Sequence, residues 1–155
     1  LPLYFIYGII LIFIFFFDLR YLEIPDEVMI PGIIIASIAT LHPNTPTWTD
    51  ALLGAGVILT FFLLQIILSR GKWLGGGDLR IGAFMGLILG FQLTLVATFM
   101  SYIIGSIISL GLIASGTLSR KSMIPFGPFL VLGTLIALLY GHALIEWYFD
   151  FIYMN

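Results

Sequence analysis

The sequence predicts an all-α, polytopic membrane protein with six transmembrane helices, and three observations carry that prediction. First, 61% of the 155 residues are hydrophobic and only 9% are charged, where soluble domains average about 45–50% and about 25%. So few ionic groups cannot cover a globule of this size, and disorder requires the opposite composition. Second, six apolar stretches fill most of the chain, and a spanning helix takes about 20 mainly apolar residues. Third, every Lys and Arg falls in three connections that share one side of such a bundle.

In order, the stretches cover residues 3–17, 28–41, 51–68, 81–89, 93–115 and 129–149. The first is barely long enough at a rise of about 1.5 Å per residue. No basic segment precedes it and no small-residue cleavage site follows, so it reads as a span and not as a signal peptide. Because the chain opens on Leu1 rather than Met, it is expected to be processed, trimmed or cut from something longer. The second stretch holds Pro31-Gly32 near its start, which predicts an irregular or kinked entry. Residues 42–48 have the Pro and Asn content of an exposed turn. Gly90, Phe91 and Gln92 predict a tight turn that leaves the fourth stretch short. Gly82, Gly86 and Gly90 share one helix face, as do Gly105 and Ser109; such faces let helix backbones approach closely in lipid. Trp48, Trp147, Tyr148 and Tyr153 fit an aromatic belt, with Asp50, Glu146 and Asp150 as interface residues and His142 packed or interfacial. No repeat divides the chain, so residues 1–155 are expected to form a single membrane-embedded domain.

The basic residues set the expected orientation. Connection 18–27 holds Arg20, connection 70–80 holds Arg70, Lys72 and Arg80, and connection 116–128 holds Arg120 and Lys121. Basic residues accumulate in short cytoplasmic loops. Both ends are therefore expected outside, in a multi-pass protein of the inner (cytoplasmic) membrane surrounded by lipid bilayer. A net charge of −2 with six basic residues offers no nucleic-acid surface. The absence of Cys excludes thiolate nucleophiles, disulfides and Cys-ligated zinc. His42 and His142 both fall on the far side, and neither a metal nor a cofactor is expected.

The acidic residues are the chemical candidates, because an ionisable group inside apolar sequence is costly to keep there. Asp18 ends a run of Ile-Phe-Ile-Phe-Phe-Phe, and Asp78 follows Gly75-Gly76-Gly77 at the start of the fourth stretch. The expected topology puts both at the cytoplasmic boundary, where they can meet at one depth. Two carboxyl groups a few ångströms apart cannot both ionise easily, so one keeps a proton. Such a pair suits hydrolysis: the ionised member takes a proton from water while the neutral member protonates the carbonyl oxygen. Plainer readings stand beside this one. Asp18 could mark where the first helix meets water, and Asp78 could be an ordinary N-cap. The glycine triplet lacks the Lys-Ser/Thr of a phosphate loop. It reads better as backbone left bare for close approach by an extended peptide or the other aspartate.

At these residues the sequence resembles the type IV prepilin peptidase family, membrane aspartyl proteases of the GxGD class related in mechanism to preflagellin peptidases and presenilin. Three features carry the resemblance: Asp18-Leu19-Arg20 followed by Glu23-Ile24-Pro25-Asp26, then Gly75-Gly76-Gly77-Asp78-Leu79-Arg80, then Ile124-Pro125-Phe126-Gly127-Pro128-Phe129. GxGD alone is weak; three motifs in order on one predicted side are not. The resemblance implies cleavage of leader peptides from type IV prepilin or pseudopilin precursors of pili or type II secretion, after a glycine, at the cytoplasmic face. It also implies that Asp18 and Asp78 are the catalytic pair. Asp26 is the alternative first aspartate, disfavoured because Ile-Pro-Asp looks like the cap of the second stretch. Many bacterial relatives carry an N-terminal segment with two CxxC pairs and also N-methylate the new N-terminus. This chain shows no such Cys-rich segment, and no methyltransferase activity is expected of it.

Candidate substrate contacts are Gly75, Gly76, Gly77, Pro125, Phe126, Gly127, Glu23 and Asp26. Two prolines around Phe126-Gly127 preclude regular helix there, so that backbone must be buried in protein or line a wet cavity. The plainer reading is a helix start with Pro128 in its first turn. Glu23, Asp26 and Glu27 could attract a basic leader, or form a solvated loop balancing Arg20. Two rival functions remain: a small proton-coupled transporter relaying protons through the carboxylates, and a structural subunit of a secretion machine assembled through the glycine faces.

Overall fold

Inside a bilayer no water is available to bond the backbone, so long apolar runs close their hydrogen bonds within helices. The computed structural model describes residues 2–117 and 124–153, and every regular element in them is helical. The elements are α1 (Pro2–Tyr21), α2 (Asp26–Ala39), α3 (Trp48–Ser69), α4 (Gly76–Ala114) and α5 (Gly127–Tyr153). Arg120 and Lys121 lie outside the described residues.

Among the described residues four helices, α1, α3, α4 and α5, are long and apolar enough to cross a membrane. The expected count of six is therefore not confirmed. Two causes account for the difference. Helix α2 has 14 residues, and at about 1.5 Å each it reaches about 21 Å, short of a hydrocarbon core about 30 Å thick. The fourth and fifth expected stretches both fall in α4, all but Ser115, its C-cap.

That long element nevertheless doubles back. Gly90 has φ 72° and ψ −177°, which is not helical. Before it, Gly82 packs on Phe62 and Ile58 and Gly86 on Ala55, so α4 runs antiparallel to α3. After it, the Phe91 N–H meets Asp50 and Tyr102 meets Phe61 and Gln65, so α4 now runs parallel to α3. The chain reverses at Gly90, where the tight turn was expected. A positive φ is open to glycine at little cost, and a Cβ here would also run into the Asp50 carboxylate.

Asp50 secures the turn. Its Oδ1 accepts the Phe91 N–H at 3.0 Å, satisfying one of the unpaired donors that open a helix, with the helix dipole in its favour. Its own N–H points to the Thr47 hydroxyl at 3.4 Å, the N-cap of α3. Expected as an interface residue, Asp50 also caps the returning half of α4.

The glycine faces act as the packing surfaces the sequence suggested. A Cβ at Gly86 would overlap the Ala55 backbone, and one at Gly54 would lie 2.7 Å from the Gly90 carbonyl carbon. Farther along, Gly105 backs onto the Phe129 ring, Gly133 onto Ser101 and Gly141 onto Leu93, so α5 runs antiparallel to the returning half of α4. On the other side Tyr7 of α1 meets Phe84 edge-on, with ring centroids 5.7 Å apart. Leu11, Ile14, Met29, Phe62 and Phe84 are buried at this centre, while Phe5, Leu68 and Leu139 among many others face outward. So large an apolar exterior matches a protein solvated by lipid. Trp48, Trp147, Tyr148 and Tyr153 are all exposed.

Pro31 does not interrupt the helix: α2 continues through it from Asp26 to Ala39. It sits in the second turn, where the lost bond is only that to the carbonyl near the helix start.

Two outcomes are expected for thermal unfolding in detergent micelles. Gly86→Val should cost about 1–3 kcal/mol, because α3 and α4 must separate to admit the side chain. Asp50→Ala should cost about 0.5–2 kcal/mol through the lost cap, and Asp50→Asn, which keeps an acceptor, should cost less.

Candidate active site

Asp18 enters the bundle because of its register. The buried residues of α1 are Tyr7, Leu11, Ile14 and Asp18, spaced three and four apart, so they form one stripe. Asp18 closes that stripe and is 5% exposed. Its carboxylate accepts the backbone N–H of Gly127 at the start of α5. The approach is so close that a Cβ on Gly127 would fall on Asp18 Oδ2.

Asp78 is placed by the start of α4. Gly75 is the N-cap residue, in extended conformation, and Asp78 is three residues on. Asp78 Oδ2 accepts the Gly75 N–H at 2.9 Å, which is the returning half of a capping box. Glycine has no side chain to supply the other half. Asp78 is 9% exposed. A Cβ on Gly77 would come within 2.7 Å of Ile24, so the loop after α1 rests directly on glycine backbone.

Asp18 and Asp78 line one cavity of about 920 Å³, and the Asp78 charge acts on Asp18. Glu23, Gly75, Gly76, Gly77, Pro125 and Phe126 line it as well. Gly127 stands behind Asp18 rather than in the wall. Asp26 is elsewhere: its Oδ1 pairs with Arg80 Nε at 2.8 Å, both side chains being roughly half exposed at 47% and 43%. The N-cap of α2 is Pro25, with no side-chain cap. The cap expected of Asp26 is thus absent, because its carboxylate turns to the guanidinium. Lys72, Trp73 and Arg80 complete a rim of mixed charge.

Two residues near the cavity had gone unremarked in the sequence. The Tyr102 hydroxyl donates to Gln65 Oε1 at 2.9 Å. The Tyr102 ring lies 4.9 Å from that of Phe126, and the Asp78 charge reaches Tyr102. The signal was a polar residue in Leu-Leu-Gln-Ile-Ile-Leu, which an apolar setting makes a functional candidate.

Chemically, two buried carboxyl groups each held by a backbone N–H can present acid and base to one point. The cavity is large enough for a short extended peptide. Among the described residues no three His, Asp or Glu side chains gather as a metal-binding group.

Comparison with known proteins bears on this site. The family model described as "Type IV leader peptidase family" matches residues 5–110. Proteins named prepilin leader peptidase/N-methyltransferase are similar across most of the chain. That of Bacillus subtilis is 29% identical over 131 residues, 84% of this chain and 52% of the relative. That of Legionella pneumophila is 32% identical over 146 residues, 92% and 51% respectively. That of Aeromonas hydrophila is 28% identical over 143 residues, 90% and 49%. The chain thus spans about half the length of the curated relatives it matches. No solved structure matches.

The half-exposed Arg80–Asp26 pair should matter little to folding. Arg80→Gln and Asp26→Asn should each change stability by about 1 kcal/mol or less, read as a shift of the thermal midpoint that shrinks further in high salt.

Proposed function

Because the chain belongs to the type IV leader peptidase family, we propose that it is a membrane aspartyl endopeptidase that removes the leader from prepilin-type precursors after a glycine. The observation that carries the proposal is the burial of Asp18 and Asp78 in one cavity. Among the described residues they are the two buried carboxyl side chains, and both stand at the end of the bundle that bears the Gly75–Gly77 loop.

The reaction is direct attack by water. The ionised member of the pair takes a proton from water as its oxygen bonds to the carbonyl carbon of the scissile glycine. The neutral member gives its proton to the carbonyl oxygen, forming a tetrahedral diol. In the second step a carboxyl protonates the amide nitrogen, the other recovers a proton from the diol, and the C–N bond breaks. The backbone donors Gly127 and Gly75 hold the two carboxyls in place throughout. Asp18 is preferred over Asp26 as the first acid, because Asp26 is engaged by Arg80 and is absent from the cavity wall.

The same placement favours a cytoplasmic-facing site in the inner membrane. Lys72 and Arg80 line the cavity, while Arg20 in the last turn of α1 and Arg70 at the C-cap of α3 stand at the helix ends that lead into its connections, and such residues stay on the cytoplasmic side. The reversal at Gly90 supports two passes of the chain within α4, which with α1, α3, α5 and the short α2 makes six helical segments among the described residues. Glu23, which lines the cavity, and Glu27, exposed in the first turn of α2, are the acidic residues left to attract a basic leader. The relatives' names join peptidase to methyltransferase; the acid pair accounts for the first activity. A proton relay finds less support, because the deeper buried polar groups Thr94, Ser101 and Thr134 are hydroxyls bonded to carbonyls of their own helices.

Purified protein incubated with a prepilin-type precursor is expected to shorten it. Asp18→Asn and Asp78→Asn should each lower the rate by about 10²–10⁴-fold with folding retained; wild-type rates in either variant would remove that residue from the reaction. Gly127→Ala, which displaces Asp18, should cost about 10²-fold, as a misplacement of about 1 Å does elsewhere.

A further inference from the structure

Besides the two acids, the apolar interior holds a second polar pair, and its geometry leads to the cavity wall. The reversal at Gly90 brings the far half of α4 back alongside α3, so that Tyr102 stands level with Gln65 and bonds to it across the helix interface. The amide nitrogen of Gln65 is buried and has no partner among the described residues. What this side chain contributes is therefore one acceptor, taken by Tyr102.

The Tyr102 ring in turn presses on Phe126, at 4.9 Å and 52° between planes. Phe126 also meets Phe62 at 6.4 Å and Phe129 at 6.3 Å. Phe129 is itself pressed against Gly105, where a Cβ would lie 3.1 Å from the ring. Phe126 is thus collared by three rings and presents its remaining side to the cavity that holds Asp18 and Asp78. Ring-to-ring packing has weak directional preference, and apolar contact has almost none. The hydrogen bond from Tyr102 to Gln65 is the directional element of the collar, since an O–H donor weakens steeply off line.

We propose that Tyr102 and Gln65 are positioning residues whose hydrogen bond sets the angle of the Phe126 wall, and so selects which apolar side chain fits beside the scissile bond. The inference rests on the peptidase function proposed above. It assigns to the two residues a role in discrimination between substrates, distinct from joining α3 to α4.

The test uses the full chain in detergent and three precursors that carry Ala, Leu or Phe after the scissile glycine. The variants are Tyr102→Phe, Gln65→Met, the two combined, and Phe126→Leu. Tyr102→Phe keeps the ring and loses the tether. The double variant removes donor and acceptor together, which leaves no newly unsatisfied group and protects folding. Each variant is expected to change the Phe-to-Ala ratio of kcat/KM by about tenfold, mainly through KM, the size that small differences in pocket fit produce. The double variant should match the single ones, because both remove the same bond. A ratio unchanged within about twofold, or equal losses for all three precursors, would reduce the pair to helix joining and overturn the inference. Wild-type protein that cleaves no precursor would instead overturn the peptidase reading, and the inference with it. An unchanged ratio in Phe126→Leu would show that this wall does not read the substrate, and sinks the inference independently of the tether.

Discussion

The charged end of this molecule depends on a turn at its opposite end. Where Asp50 accepts the Phe91 N–H, α4 stops running against α3 and starts back along it. The first half of the hairpin carries Asp78 at its start, and the second half carries Tyr102 to the same level. Gly90 and Gly54 allow the approach because neither has a side chain to keep the backbones apart. Had α4 continued straight, Tyr102 would stand far from Gln65, and Gly105 would have no Phe129 to meet. A glycine reversal capped by a carboxylate thus brings the cavity's collar into place.

At the cavity itself the governing cost is the burial of two carboxyl groups. Each is offset locally by a backbone N–H, from Gly127 for Asp18 and from Gly75 for Asp78. Both donors are glycines, and at Gly127 any side chain would occupy the position of the carboxylate. The glycine-rich and proline-rich segments are therefore explained by access to main-chain donors as much as by flexibility. The positive groups nearby are spent differently: Arg80, on the cavity rim, pairs with Asp26, and among the described residues no cation stands within salt-bridge distance of the acid pair.

Much of this was legible in the residues. The helical class follows from the length and apolarity of the runs, and the break at Gly90 from Gly90-Phe91-Gln92 standing between two apolar runs. Asp18 was legible as an acid at the end of a phenylalanine run, but its inward direction, shared with Tyr7, Leu11 and Ile14, was not, because α1 is apolar on every side. Other features were not. Asp26 reads as a cap after Ile-Pro, because local preference cannot see Arg80 arriving from another helix. Asp50 reads as an interface residue, because its partner N–H is 41 positions away. Gln65 and Tyr102 were visible as polar residues in apolar runs, but their partnership depends on the hairpin.

By itself the sequence determined the composition that demands lipid, the helices, the one-sided distribution of basic residues and the two aspartates that carry a family's motifs. Those properties are local or additive, since hydrogen bonding within a helix and the cost of a charge in hydrocarbon are set residue by residue. Tertiary structure decided which groups face one another: Asp18 with Gly127, Asp26 with Arg80, Asp50 with Phe91, and Tyr102 with both Gln65 and Phe126. Each of those pairs joins segments distant in the chain, and their meeting follows from how apolar faces and bare glycine backbone pack, a long-range outcome that no local preference encodes.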